Sequence, residues 1–217
     1  MNKGFIFDLD GVIVDTAKYH FLAWKKVANT LGFDFSEKEN ELLKGVSRVD
    51  SLNIILKLGN KEISAEEKKQ YLISKNNHYL SLIKGMDQNE ILPGIIDLLN
   101  HLDEYKIPYV LGSASKNARP ILEKVGILHR FQGIVDGNDV TKAKPDPEVF
   151  LLGAEILQLK PKNCIVLEDS IAGIQAANIA KMKSIGIGDS KVLLEADYNF
   201  ENSTEITKEV INNIINK

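Results

Sequence analysis

A single cysteine, Cys164, excludes an intrachain disulfide, and its place in an apolar run marks it as a buried structural thiol rather than a catalytic one. Excess positive charge is also lacking. The formal net charge of -3 gives neither a basic footprint for nucleic acid nor a polybasic signal for a membrane surface. No apolar run reaches transmembrane length, and Asp8 and Asp10 interrupt the first apolar segment too early for a signal peptide. Internal repeats and low-complexity stretches are missing as well. The expectation is a cytoplasmic protein, a monomer without nucleic-acid or membrane partners, long enough at 217 residues to bury a sizeable core.

What is present is concentrated near the start, in Phe5-Ile6-Phe7-Asp8-Leu9-Asp10-Gly11-Val12. An apolar run that reads as a buried strand ends in two carboxylates spaced i, i+2. Inside a strand such charges would be costly to desolvate. At the carboxyl end of a parallel strand they reach the crevice where open α/β sheets bind ligands. Two acids there can grip a hard cation, or divide the work of nucleophile and proton donor. That makes phosphoryl transfer the candidate chemistry.

After the first strand, Asp15 and Thr16 are good N-cap types for a helix carrying Tyr19, His20, Ala23, Trp24, Val27, Ala28 and Leu31 at three- and four-residue steps, which Gly32 ends. The pattern then stays helical to residue 83, with breaks at 44–47 and 59–60, and Ser64 with Glu67 forms a capping box. Beyond Pro93-Gly94, strand and helix alternate. Strands are expected at 4–9, 109–112, 133–135, 164–167 and 183–187, continuously apolar as in a sheet covered on both faces. Helices are expected at 95–105, 118–125, 147–157 and 172–180, with a helical finish over 205–215. The economical fold is α/β: a doubly wound parallel, Rossmann-like sheet core (1–14 and 93–217) with a helical cap domain inserted at 15–92.

The strand tips carry the chemistry. The first ends in Asp8 and Asp10, the second in Ser113 followed by Ala114, Ser115, Lys116 and Asn117, and the Cys164 strand in Glu168 and Asp169. Lys144 sits in a loop before a helix. Parallel strands put their carboxyl ends on one side, so these groups converge. Oxygen ligands without clustered cysteine or histidine favour Mg²⁺ over Zn²⁺.

The ordered set Asp8-Leu9-Asp10-Gly11, Ser113, Lys144-Pro145 and Glu168-Asp169 resembles the haloacid dehalogenase-like superfamily. Within it, Asp15-Thr16, His20 and Trp24, the run Lys44-Gly45-Val46-Ser47-Arg48 with Ser51, and Ser113 to Asn117 look like the β-phosphoglucomutase family. The resemblance covers about residues 1–190 and implies a sugar phosphate substrate. It makes Asp8 the nucleophile and Asp10 the general acid and base. It has Mg²⁺ held by Asp8, the Asp10 carbonyl and Asp169, with Glu168 in the same shell. Lys144, the Ser113 hydroxyl and the Ala114 amide would neutralise the transferring phosphoryl group. Arg48, with Ser115, Lys116 and Asn117, would grip a second phosphate, and Gly45, Val46 and Ser47 would lie against the hexose. His20 would help orient Asp10, with Thr16, Trp24 and Lys44 completing the substrate-binding set.

Taken singly, several of these residues have plainer readings. His20 and Trp24 read as helix packing, Lys44, Arg48 and Lys116 as solvated charges, Glu168-Asp169 as a helix cap, and Gly11 as a turn. A phosphatase of the same superfamily shares every core motif and differs only in passing the phosphoryl group to water. A signalling receiver also gathers acids, a hydroxyl residue and a lysine at strand tips, but lacks so long a helical insertion.

Overall fold

In the computed structural model, which describes residues 3–216, six strands form one all-parallel sheet in the order β3-β2-β1-β4-β5-β6. They are β1 (Gly4–Phe7), β2 (Tyr109–Gly112), β3 (Ile134–Val135), β4 (Cys164–Glu168), β5 (Lys183–Ile187) and β6 (Tyr198–Phe200). Helices α1 (Ala17–Thr30), α2 (Glu37–Asn40), α3 (Arg48–Leu58) and α4 (Ala65–Leu82) all fall between β1 and the helix α5 (Ile95–Glu104) that leads into β2. Helices α6 (Ala118–Lys124), α7 (Glu148–Ile156), α8 (Ile171–Ile179) and α9 (Lys208–Asn216) complete the chain. Among the described residues no helix is long and apolar enough to cross a membrane.

β1 is central, pairing Phe5, Ile6 and Phe7 with Tyr109, Val110 and Leu111 on one side and with Ile165, Val166 and Leu167 on the other. Its side chains alternate between two cores. Ile6, Val110 and Val166 pack with Phe150, Ala154 and Ala176 from α7 and α8. Phe5, Phe7, Leu111 and Ile165 face Leu98, Ile121 and Ile211 from α5, α6 and α9. Burial on both faces explains why the strands carry unbroken apolar runs. Each fully buried Ile, Leu or Phe contributes roughly 1.5–3 kcal/mol. The strand order reverses between β1 and β4, and ligands of open α/β sheets bind at such a switch point.

The inserted helices gather their own apolar cluster of Trp24, Val27, Phe35, Leu52 and Ile55. Ala23, Tyr79, Ile83 and Met86 instead join Val12, Ile13 and Val14 of the core, which ties the insertion down. The Ser64–Glu67 capping box is present, with Glu67 N–H donating to Ser64 Oγ at 3.2 Å and Ser64 N–H donating to Glu67 at 2.8 Å. A second box, Ser36–Glu39, opens α2.

Other differences have physical reasons. β6 was missed because its three residues, Tyr198, Asn199 and Phe200, form a half-exposed edge strand with little apolar signal. α9 starts at Lys208 rather than 205, because Ser203–Glu205 forms a separate 3-10 turn capped by Asn202. Thr16 stands at the α1 N-cap position, yet its side chain accepts no bond from the helix.

Candidate active site

β1 ends at Phe7, and Asp8 continues its line by donating its backbone N–H to the Leu167 carbonyl at 3.0 Å. The turn beyond places Gly11 at φ +78°, a left-handed conformation in which glycine has no steric penalty. Steric space requires glycine there as well, since a Cβ would run into the Asp169 carboxylate. At the tip of β4, Glu168 lies so close to α8 that only Gly173 leaves room for its carboxylate.

Lys144 joins the two tips. Its ammonium donates to Asp8 Oδ1 at 2.6 Å and to Glu168 Oε1, and it sits 4.7 Å from the Phe150 ring centre. Burial alone would lower the lysine pKa, but Asp8 and Glu168 outweigh it and hold the group charged, above its usual range. Glu168 turns its other oxygen to Ser170, accepting from the backbone N–H at 2.9 Å and the hydroxyl at 2.8 Å. Both Glu168 oxygens therefore have protein donors, and the lone pairs left over are all it can offer a cation.

The acids are under electrostatic stress. Burial pushes Asp8 up to about 6, with Lys144 pulling it down and Glu168 adding to the rise. Asp169 is driven well above the carboxylate range by burial and then by Glu168 and Asp8, with Lys44 opposing. Asp10 rises to about 7, by burial first and then by the charge on Asp8. The Lys144 ammonium does not neutralise Asp8, Glu168 and Asp169 together, and a hard cation would relieve the excess. Among the described residues no three acidic, imidazole or thiol side chains already converge as a metal cage. The donor set of two carboxylates and a main-chain carbonyl fits an ion that keeps several of its own waters.

Asp10 is held apart from that cluster. Its Oδ1 accepts a hydrogen bond from the Thr16 hydroxyl. Thr16 is fully buried and does not line the cavity, so its expected place against the substrate is corrected: it touches Asp10 instead. His20 does line the cavity, but no hydrogen bond joins it to Asp10. Its Nδ1 meets Lys75 Nζ at 2.9 Å, while Nε2 finds no partner among the described residues. Burial, then Lys75 and Arg48, keep its pKa well below the usual range, so the ring is neutral.

The cavity has a volume of about 400 Å³ and lies between the strand tips and the inserted helices. Asp8, Asp10, Ser113, Lys144 and Asp169 line it from the sheet, with Ala114, Ser115, Lys116 and Asn117 from the loop after β2. His20, Trp24, Lys44, Gly45, Val46, Ser47 and Arg48 line it from the insertion. Ser113 Oγ accepts the Ser115 N–H at 3.1 Å, and Ser115 Oγ accepts the Asn117 N–H at 3.3 Å, so the loop is pre-shaped. Lys44 pairs with Glu41 at 2.9 Å. Arg48 is half-buried, and among the described residues no carboxylate pairs with it. Such a guanidinium is a ready anion site.

Lys75 was missed by sequence reasoning. It is 2 % exposed and lies 4.8 Å and 4.7 Å from the Trp24 and Tyr79 ring centres. Its neighbours Lys68, Lys69, Asn76 and Asn77 make the helix read as solvated, so no local signal marks it. Asn40, also on the cavity wall, is buried with its Oδ1 unpartnered among the described residues.

A sequence model of the haloacid dehalogenase-like hydrolase family matches residues 2–181. A β-phosphoglucomutase of Bacillus subtilis is 41% identical over 211 residues, covering 96% of this chain and 93% of that one. A phosphorylated carbohydrates phosphatase of Thermotoga maritima is 31% identical, covering 88% of this chain and 89% of its own. A crystal structure of β-phosphoglucomutase from Clostridium difficile superposes with a TM-score of 0.95 at 45% identity, over 100% of this chain and 98% of that one. With an acid pair at the switch point, a lysine bridging two strand tips and these full-length relatives, the chain belongs to the haloacid dehalogenase-like hydrolase family.

Proposed function

We propose that this chain is a β-phosphoglucomutase, interconverting β-D-glucose 1-phosphate and glucose 6-phosphate through an aspartyl phosphate and β-glucose 1,6-bisphosphate. One observation carries the reading. A single cavity combines the acid cluster of the strand tips with an unpaired guanidinium from the insertion, in a chain 41% identical to a mutase along almost its whole length. A hydrolase needs only the first of these elements. A mutase also needs a grip for the second phosphate of its intermediate.

In this reading residues 15–92 act as a cap over the core. Asp8 carries the phosphoryl group. The sugar phosphate enters with its own phosphate held by Arg48, Ser115, Lys116 and Asn117, and its 6-hydroxyl faces Asp8. Asp10 takes the hydroxyl proton as that oxygen attacks phosphorus, and the bond from phosphorus to Asp8 breaks. The bisphosphate then presents its other phosphate. Asp8 attacks it, the sugar oxygen leaves, and Asp10 returns the proton. A pKa near 7 suits Asp10 to both halves of this exchange. The Thr16 hydroxyl donates to Asp10 Oδ1, and the Lys144 ammonium is taken up by Asp8 and Glu168. Lys144, Ser113 and the Ala114 N–H face the charge that builds on the phosphoryl oxygens.

Asp8, Asp169 and the Asp10 carbonyl would hold Mg²⁺, with Glu168 beside them. When bound, the ion supplies positive charge that lowers the repulsion between Asp8 and an anionic phosphoryl group. Closure of the cap excludes the water that would otherwise hydrolyse the aspartyl phosphate.

The test supplies β-glucose 1-phosphate, Mg²⁺ and a trace of glucose 1,6-bisphosphate, and follows glucose 6-phosphate against free phosphate. Glucose 6-phosphate should dominate. Stoichiometric release of phosphate would favour the phosphatase reading, which the Thermotoga maritima relative represents.

A further inference from the structure

Among the contacts between the insertion and the core, two involve residues that line the cavity, Gly45 and Asn117. One is steric: Gly45 lies so close over Ser170 that a Cβ would collide with its hydroxyl. The other is polar. Asn117 Nδ2, from the core, donates to Asn76 Oδ1 on α4 at 3.1 Å. Asn117 is buried and lines the cavity, whereas Asn76 is half-buried and does not.

The position of Asn76 in this network is informative. Hydrogen bonds run from Ser113 through Ser115 to the backbone of Asn117, and the Asn117 side chain then crosses to the insertion. The backbone of Asn117 is thus fixed by the core, but its amide group is fixed from the cap. An amide nitrogen has two N–H bonds, and Asn76 accepts one. The other remains for an acceptor inside the cavity.

We propose that Asn76 is a positioning residue: with the cap closed, it sets the Asn117 amide for the phosphate held away from Asp8. The inference rests on the mutase reading. It makes the grip on the second phosphate and the exclusion of water one event. Lifting the cap frees the Asn117 amide and loosens that phosphate. By linkage, a phosphate bound to Asn117 favours the closed cap to the same degree. A sugar lacking its second phosphate would leave the cap less firmly shut.

The test compares wild type, Asn76→Leu, Asn117→Leu and the double variant, measuring glucose 6-phosphate formed against phosphate released from β-glucose 1-phosphate. Loss of one neutral hydrogen bond should shift that ratio toward phosphate by roughly two- to tenfold in Asn76→Leu. The double variant should be no worse than Asn117→Leu alone, because Asn76 acts only through Asn117. Phosphorylation of Asp8 by acetyl phosphate without sugar should keep its rate in Asn76→Leu, which separates the effect from poor folding. Asn76→Ala replaces Asn76→Leu should the larger side chain destabilise the fold. An unchanged ratio, or losses that multiply independently in the double variant, would overturn the proposal. Should wild type release only phosphate, the mutase reading itself fails. The same four proteins then decide the role of Asn76 through KM for the sugar phosphate, with independent effects counting against it.

Discussion

Lys75→Met should make the protein more stable and less active, and the stability gain should depend on pH in a defined direction. Lys75 is 2 % exposed, and its pKa falls from 10.5 to about 7 through burial, then the charge of Arg48, with Asp10 opposing. Between pH 7 and 10.5 the unfolded chain holds this proton more firmly than the folded one, so the Lys75 contribution to stability improves as pH rises through that window. Below about 7 the charge is present in both states, and the full cost of burying it applies. The displacement corresponds to about 5 kcal/mol. The faces of Trp24 and Tyr79 return roughly 1–2 kcal/mol of that. Methionine fills similar space between those rings without charge, so the variant should gain about 3 kcal/mol at pH 6. The gain should shrink steadily toward pH 10. Urea unfolding of both proteins at pH 6, 7.5 and 9 measures this through the midpoint at constant slope. Most titrating groups are shared, so the difference reports Lys75 together with Asp10 and His20, the two groups that feel its charge. Turnover should fall as well, because the Lys75 charge holds down the Asp10 pKa and its loss pushes the acid and base further from neutrality. A gain that does not vary with pH, or a variant less stable at pH 6, would refute the reasoning.

Three further outcomes bear on the mechanism. Asp8→Ala should abolish sugar-phosphate turnover while the thermal midpoint stays within a few degrees, because Glu168 still partners Lys144 and a stressed carboxylate has gone; near wild-type transfer would remove Asp8 as nucleophile. Asp10→Asn keeps the backbone carbonyl but cannot exchange a proton, so turnover should drop on the order of a hundred- to ten-thousand-fold with Mg²⁺ affinity largely retained. Collapse of metal affinity with normal activity per bound metal would instead make the Asp10 side chain a ligand. Arg48→Ala should lower kcat/KM for sugar phosphates about ten- to a hundredfold while phosphorylation of Asp8 by acetyl phosphate falls much less; equal losses with both donors would place Arg48 outside the second-phosphate grip.

The strand tips were legible because a charge that interrupts an apolar run can be accommodated in few places. Asp8, Asp10, Glu168 and Asp169 stand where desolvation would forbid them unless a crevice opened, and parallel order fixes which side that crevice is on. The loop at 44–47 was legible as a break in helical periodicity, whereas Arg48 was marked only by the resemblance and by itself reads as a solvated charge. Thr16, Lys75 and Asn76 were not legible. Each acts through a residue distant in sequence or across a fold boundary, so local pattern gives Thr16 a capping role and the other two a solvated helix face. The β6 edge strand was lost for a related reason: β5 completes it, and its own sequence says little. The Ser36–Glu39 box is a different case, since its spacing was in plain view.

The glycines around the β4 tip make a final point about how this site is encoded. Gly173, Gly11 and Gly45 come from three separate stretches of chain, and they stand against Glu168, Asp169 and Ser170 in turn. A scan of every substitution along the chain would therefore trace the acid cluster twice, once through the residues that perform the chemistry and once as an imprint of positions with no chemistry at all. Recreating this centre in another scaffold by copying only the reactive side chains would fail, because part of its specification consists of atoms that must be missing.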